Sequence, residues 1–225
     1  MRLCQAAIEI DPNYARIWAQ LDVARRALHF HFGRADEDVL AAAERALSLD
    51  RSLAEAHAVK GDTLFSAGGH DEARAEIDIA VGLDPDSWEV NVNAGYLNFR
   101  EGRFEDAIRH FEKASAVMEP DFVCPGMLMT ARTAIGDDEG PLRAAHMTIE
   151  RAEKALEQDP SSGSAIGFGA GALACVGDGE RAKEWIRRAL LIDPDDCGCA
   201  TTWPAPSAPT WATSTPRWIC SVPSS

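Results

Sequence analysis

Two histidines, His29 and His31, are the first residues in this chain whose types and spacing could hold a metal. A zinc site needs three or four converging ligands, and residues two apart on a helix point to different sides. No third ligand lies close in sequence, so the pair reads as packing within a long link. Cys197-Gly198-Cys199 offers two thiols, at a place where the composition of the chain changes. Gly167-Phe168-Gly169-Ala170-Gly171 has a passing likeness to a dinucleotide loop. That loop needs a strand before it and a helix after it, whereas this segment falls inside an expected helix, where small residues serve close packing. The acidic runs Asp36-Glu37-Asp38 and Asp137-Asp138-Glu139 precede expected helices, where carboxylates suit the positive end of the dipole. No phosphate-binding Gly-x-x-x-x-Gly-Lys occurs, and no nucleophile, acid or base stands in a catalytic arrangement. The sequence points to a non-enzymatic protein with no cofactor and no metal.

The elements that carry these residues recur. Ala46, Ala80 and Ala114 are 34 residues apart; so are Ala155 and Ala189, after a gap of 41. Gly68, Gly102 and Gly136 keep the same interval, as do Gly61 and Gly95. Apolar helical stretches run into Ile10-Asp11-Pro12, Leu83-Asp84-Pro85, Asp159-Pro160 and Ile192-Asp193-Pro194. Between Ala54 and Ser87 the pattern is complete. A first helix carries Ala54, Ala58, Gly61, Leu64 and Phe65, Gly68-Gly69 ends it, and a second carries Ala73, Ile77, Ala80 and Val81 up to Pro85. A fixed interval of this size marks a solenoid of helix pairs, each burying its apolar face against its neighbours.

These residues resemble the tetratricopeptide (TPR) motif over roughly positions 1 to 196. The resemblance implies an all-α, right-handed TPR superhelix with turns near Gly68, Gly102, Gly136 and Gly177. The expected division is a partial unit at 1–12 and units at about 13–52, 53–87, 88–121, 122–162 and 163–196. The unit from 122 has a stretched second helix reaching about Glu157, which accounts for the longer gap, and the chain reads as beginning inside a unit. The Leu-x-Leu-Asp-Pro-like closures are also loosely similar to TPR tails of bacterial nucleotide cyclase and protein kinase signalling proteins.

The fold leaves a groove on the inner face of the first helices. By stripe spacing it is lined by Asp62, Phe65, Val92, Asn93, Tyr96, Phe99, Arg100 and Phe168. Aromatics and amides suit an extended peptide or a helix, while gap-filling between units remains open for Phe65 and Phe99. TPR modules that clamp chaperone tails use lysines and asparagines there. Ala58 and Asp62 stand at those positions, so that clamp is missing. The function expected is a protein–protein interaction scaffold; the alternative is a detached regulatory segment of a cyclase- or kinase-type signalling enzyme.

With 36 acidic and 22 basic residues, the formal charge is −14. That repels phosphate backbones and favours a basic or amphipathic protein or peptide partner over nucleic acid. No apolar run suits a membrane span and no secretion signal opens the chain, so a cytoplasmic protein with six reduced cysteines is expected. From 197 to 225 the pattern fails. The only charge after Cys199 is Arg217, and the prolines at 204, 206, 209 and 216 would each break a helix there. One reading is a disordered tail. The other starts from Trp203, Trp211 and Trp218, whose single codon read one base out of frame yields Leu-Ala, Leu-Gly-Asp and Leu-Asp-Leu types of sequence. The shifted glycine would fall at 211, which is 34 residues beyond Gly177, and this register favours a frameshifted further repeat. Either way the last unit is left uncapped, with self-association through open ends expected.

Overall fold

Apolar stripes at helical spacing, cut at fixed intervals by glycine and Asp-Pro, dictate a succession of short helices. The computed structural model describes residues 2–21, 23 and 39–192. His29, His31, Asp36 to Asp38, Cys197, Cys199 and the whole tail lie outside the described residues.

Helix α1 spans Arg2–Ile10, residues 15–21 are helical (α2), and α3 spans Val39–Leu49. Four helix pairs follow: α4 (Ala54–Ser66) with α5 (His70–Leu83), α6 (Trp88–Arg100) with α7 (Phe104–Val117), α8 (Val123–Ala134) with α9 (Gly140–Gln158), and α10 (Gly163–Cys175) with α11 (Gly179–Ile192). From α3 onward each helix packs on the next, and α4 also touches α6, as α8 touches α10. First helices thus stack on first helices, which is the packing of a TPR solenoid.

The turn inside each pair is built by its glycine. Gly68, Gly102, Gly136 and Gly177 have φ of +89°, +74°, +74° and +87°, a region where a Cβ is strained. In the first pair, Gly69 N–H donates to Leu64 O at 2.9 Å and Gly68 N–H to Phe65 O at 3.0 Å. The same two bonds recur at the other three turns, so every first helix ends in a Schellman motif. At two of the connections between pairs the aspartate of the closure turns the chain. Asp84 Oδ1 accepts from Ser87 N at 3.1 Å and Asp159 Oδ1 from Ser161 N at 2.9 Å, while proline bars further helix.

Within a pair the two helices cross at a small residue. A Cβ on Gly61 would lie 2.8 Å from Ile77 Cγ1, and one on Gly95 would lie 2.6 Å from the Phe111 ring. Phe111, Ile77 and Ala73 are all buried in the core. The third pair carries the extra residues of the 41-residue interval. Helix α9 has 19 residues against 14 in α5 and α7, five of the seven extra, and two more lengthen the turn before it. Along α9 one face stays buried through Ala145, Thr148, Ala152 and Leu156.

A second polar layer lies beside the crossing. Asn91 Nδ2 donates to Pro85 O and Ser87 O, both at 2.8 Å, which aims its Oδ1 at His110 Nδ1, 2.9 Å away. His110 must therefore carry its proton on Nδ1. Burial, aided by the nearby Lys113 and Arg109 cations, holds its pKa below the ordinary imidazole value.

Two outcomes are expected from this packing. Gly95→Ala should cost about 1–3 kcal/mol by overpacking against Phe111. Gly82→Ala, on the exposed side of α5 with nothing within 4 Å, should instead stabilise by about 0.5–1 kcal/mol. Urea unfolding of both variants checks the contrast. For His110, the unfolded chain binds the proton more readily than the folded one, so its contribution is complete above the unfolded pKa and is lost as the pH falls through the folded value. Between pH 7 and 5 the loss of stability should be shallower in His110→Gln than in the wild type.

Candidate functional site

The first helices bring four of the eight expected groove residues into one cluster. Asp62 and Phe65 stand one turn apart on α4, and Tyr96 and Arg100 one turn apart on α6, whose N-terminus is capped by Ser87 Oγ accepting from Val90 N. Because α4 and α6 pack directly, the two pairs meet across the junction of consecutive units.

Arg100 is the centre of this cluster. Its guanidinium carbon lies 5.3 Å from the Phe65 ring centroid and 5.8 Å from that of Tyr96, and Nη1 donates to Asp62 Oδ1. Stacking against two aromatic faces fixes the plane of the guanidinium, and the carboxylate fixes its rotation. The Asp62 side chain is 8% exposed and that of Arg100 37%, so the anion is the buried member of the pair. Partial burial lowers the pKa of Arg100 from its usual value, but the group stays a cation. Tyr96 packs edge-on against Phe111 at 5.5 Å, and burial pushes its phenol above the ordinary value. Among the described residues no group hydrogen-bonds the Tyr96 hydroxyl. The surface offered is an aromatic–guanidinium–aromatic stack with donors left over on Arg100 and Tyr96.

The other four expected residues do not join this cluster. Asn93 donates to Glu89 O of its own helix at 2.8 Å, and Val92 packs on the core around Phe111. Phe99 is buried edge-on against Phe104 at 5.4 Å, among Met127, Leu128 and Met129. Phe168 sits 6.1 Å from Phe122 and lies so close over Gly126 that a Cβ there would be 2.3 Å from its ring. Phe99 and Phe168 therefore fill space between units. In the same helix Gly169 makes room for Trp185, since a Cβ there would come within 2.0 Å of the indole.

Several polar groups that join helices escape a search for isolated motifs. His57 Nδ1 bonds Glu76 Oε2 at 2.6 Å, Lys60 Nζ bonds Glu76 Oε1 at 2.6 Å, and together they lower the pKa of Glu76 against the opposing effect of burial. Trp88 Nε1 reaches Asp121 Oδ2 at 3.2 Å, and Asp121 Oδ1 caps α8 through Val123 N. The signal for one pairing was available: His57 and Asn91 share a register, as do Glu76 and His110. Among the described residues no cluster of metal-ligating side chains forms, and no helix is long and apolar enough to cross a membrane.

No protein-family model matches the sequence, and no curated protein sequence matches it. Solved structures do match. The chain is 17% identical to PilF of Pseudomonas aeruginosa, covering 82% of this chain and 79% of that one with a TM-score of 0.57. It is also 17% identical to PilW, a type IV pilus biogenesis factor, over 88% and 87% of the two chains at 0.56. Human IFIT1, solved as a dimer with m7Gppp-AAAA, matches at 17% identity and 0.62 over 83% of this chain but 44% of its own length, so the chain spans less than half of IFIT1. These are TPR proteins, and the chain has their fold.

The Arg100 cluster has a measurable internal energy. Arg100→Ala should cost about 1–2 kcal/mol, because it removes a charge-assisted hydrogen bond from the buried Asp62 carboxylate. A double-mutant cycle with Asp62→Asn isolates the pair. A coupling indistinguishable from zero would mean that the two side chains do not hold each other.

Proposed function

We propose that the chain is a non-catalytic interaction scaffold that receives a peptide or helix on the face of its first helices, across Phe65, Tyr96 and Arg100. The observation that carries this reading is the half-exposed stack of Phe65, Arg100 and Tyr96 between two consecutive units. Large rigid rings together with an arginine already held in place are the side chains that dominate binding surfaces, since little conformational freedom remains to be lost. A buried carboxylate beneath a partly exposed arginine is otherwise a costly way to fill space.

Charge narrows the partner. A net −14 draws basic or amphipathic segments to the surface and raises their rate of encounter. It argues against a nucleic-acid ligand of the kind bound in the IFIT1 structure. The alternative reading, a regulatory segment belonging to a cyclase- or kinase-type enzyme, uses the same face on a partner within one polypeptide or complex. Coding sequence immediately upstream of Met1 separates the two.

Selection of displayed peptides on the wild-type chain tests the face itself. The sequences recovered should be basic or amphipathic and should bind Phe65→Ala and Tyr96→Ala at least about tenfold more weakly, the loss expected of an aromatic anchor. Recovered peptides that bind both variants as tightly as the wild type would place the binding surface elsewhere.

A further inference from the structure

The second helix of a pair serves two neighbours, its own first helix and the unit that follows. Positions six, ten and thirteen residues after the turn glycine reach the following unit. Arg74, six after Gly68, donates to Asn98 Oδ1 of α6 at 3.4 Å and pairs with Glu101 at the end of that helix. Glu112, ten after Gly102, pairs with Arg132 of α8. Ser115, thirteen after Gly102, accepts from Arg151 of α9 at 3.0 Å. In α11 the same positions, counted from Gly177, hold Lys183, Arg187 and Leu190. With Ile186 they line an open groove, and Leu190 is 47% exposed. Among the described residues the two cations are engaged along their own helix alone, Lys183 with Glu180 at 2.6 Å and Arg187 with Glu184. Exposed pairs of this kind are worth little in water. The end of the solenoid thus keeps an apolar stripe edged with positive charge, on the side where α5 and α7 each receive a helix.

The opposite end offers the complement. Leu3, Ala6 and Ile10 follow one another at helical spacing along one exposed face of α1, with Leu3 and Ile10 at 85% and 86% exposure. The other side of this helix, with Cys4 and Ile8, is half-buried, so α1 is amphipathic in the wrong sense for a helix that ends in water. Glu9 borders the open face and Asp11 follows it. An apolar stripe edged with negative charge is what the α11 groove would receive.

We propose that copies of this chain join head to tail, α1 of one copy lying on α11 of the next. The stripe of Leu3 and Ile10 then covers Ile186 and Leu190, and Glu9 and Asp11 lie beside Lys183 and Arg187. Burial of the two apolar faces drives the contact. The charges select it: α11 on a second α11 would set cations against cations, whereas α1 on α11 brings opposite signs together and lets a chain of net charge −14 approach its own copies. Because the two faces differ, the contact is heterologous and every added copy leaves one free face of each kind, so assembly runs on past the dimer. A contact of one helix on one helix is at the small end of specific interfaces, so the association is weak and depends on concentration. Neither face includes Phe65, Tyr96 or Arg100, so this contact and peptide binding stand or fall separately.

Sedimentation velocity of the full chain from about 10 µM to about 1 mM, the range in which so small an interface associates, tests this. The wild type should grow beyond the dimer as its concentration rises. Leu3→Glu and Leu190→Glu, both at exposed side chains, should keep the circular dichroism of the wild type and associate at least about tenfold more weakly, since each sets a charge against an apolar face. An equimolar mixture of the two variants should recover dimers and nothing larger, because it holds one working face of each kind. A wild type that stays monomeric throughout, with α11 covered by its own residues 193–225 or left bare, would overturn the proposal. So would Leu3→Glu associating as strongly as the wild type, the result expected of α11 on a second α11, or a mixture that remains monomeric.

Discussion

Everything in this fold depends on how closely the two helices of a pair can approach. Where they cross, one side must be nearly flat so that the other can bring a large residue into the gap. Gly61 faces Ile77 and Gly95 faces Phe111, and in neither pair is there room for one more carbon. In the third pair Met129 and Ala145 are both fully buried in one core cluster. A close-packed core tolerates a change in which helix supplies the volume far better than a gain or loss of volume. The fourth pair has moved the close approach by one residue, with Gly169 under Trp185. The constraint is therefore on the sum of two side chains rather than on a glycine.

Given that approach, the ends of the helices follow. A close crossing needs a short connection, and a short connection between antiparallel helices needs one residue at positive φ, as each of the four turn glycines supplies. The reverse connection, from one pair to the next, must stop a helix and change direction. Aspartate makes the turn with its own side chain and proline stops the helix. The hydrogen bonds from Ser161 that complete the turn at Asp159 also depress its pKa, which records that the ionised form is the one the turn holds. Because each device acts within a few residues, the repeat can be copied along the chain without long-range adjustment.

This locality explains why the architecture was legible in the sequence. Gly68, Gly102, Gly136 and Gly177 announce their turns because hardly any other residue can stand there, and the 41-residue interval announces a longer helix at α9. The site was less legible, for a physical reason visible in one pair of residues. Phe65 and Phe99 occupy the same register and both pack edge-on against the residue five positions later, His70 in one case and Phe104 in the other. Phe65 stays half-buried with Arg100 over its face, whereas Phe99 is buried in a core cluster that includes methionines and leucine of the next unit. Spacing assigns a face; only the neighbouring unit decides whether that face reaches solvent. Asp62 shows the same limit, since nothing in its own helix foretells an arginine 38 residues away.

The departures from the repeat therefore carry more information about function than the repeat itself. Matching positions that keep to the pattern report packing, which any sequence of this fold must satisfy. A polar or shape-changing residue at such a position has to be accommodated by its neighbours, and the accommodation is visible. Asp62 is tolerated because Arg100 covers it, and Arg100 in turn is held by two rings. Arg151 ties α9 to the end of α7 through neutral acceptors, Ser115 Oγ and the carbonyls of Ser115 and Asp121. Such accommodations are where a structure assembled from near-identical parts can become specific for something outside itself.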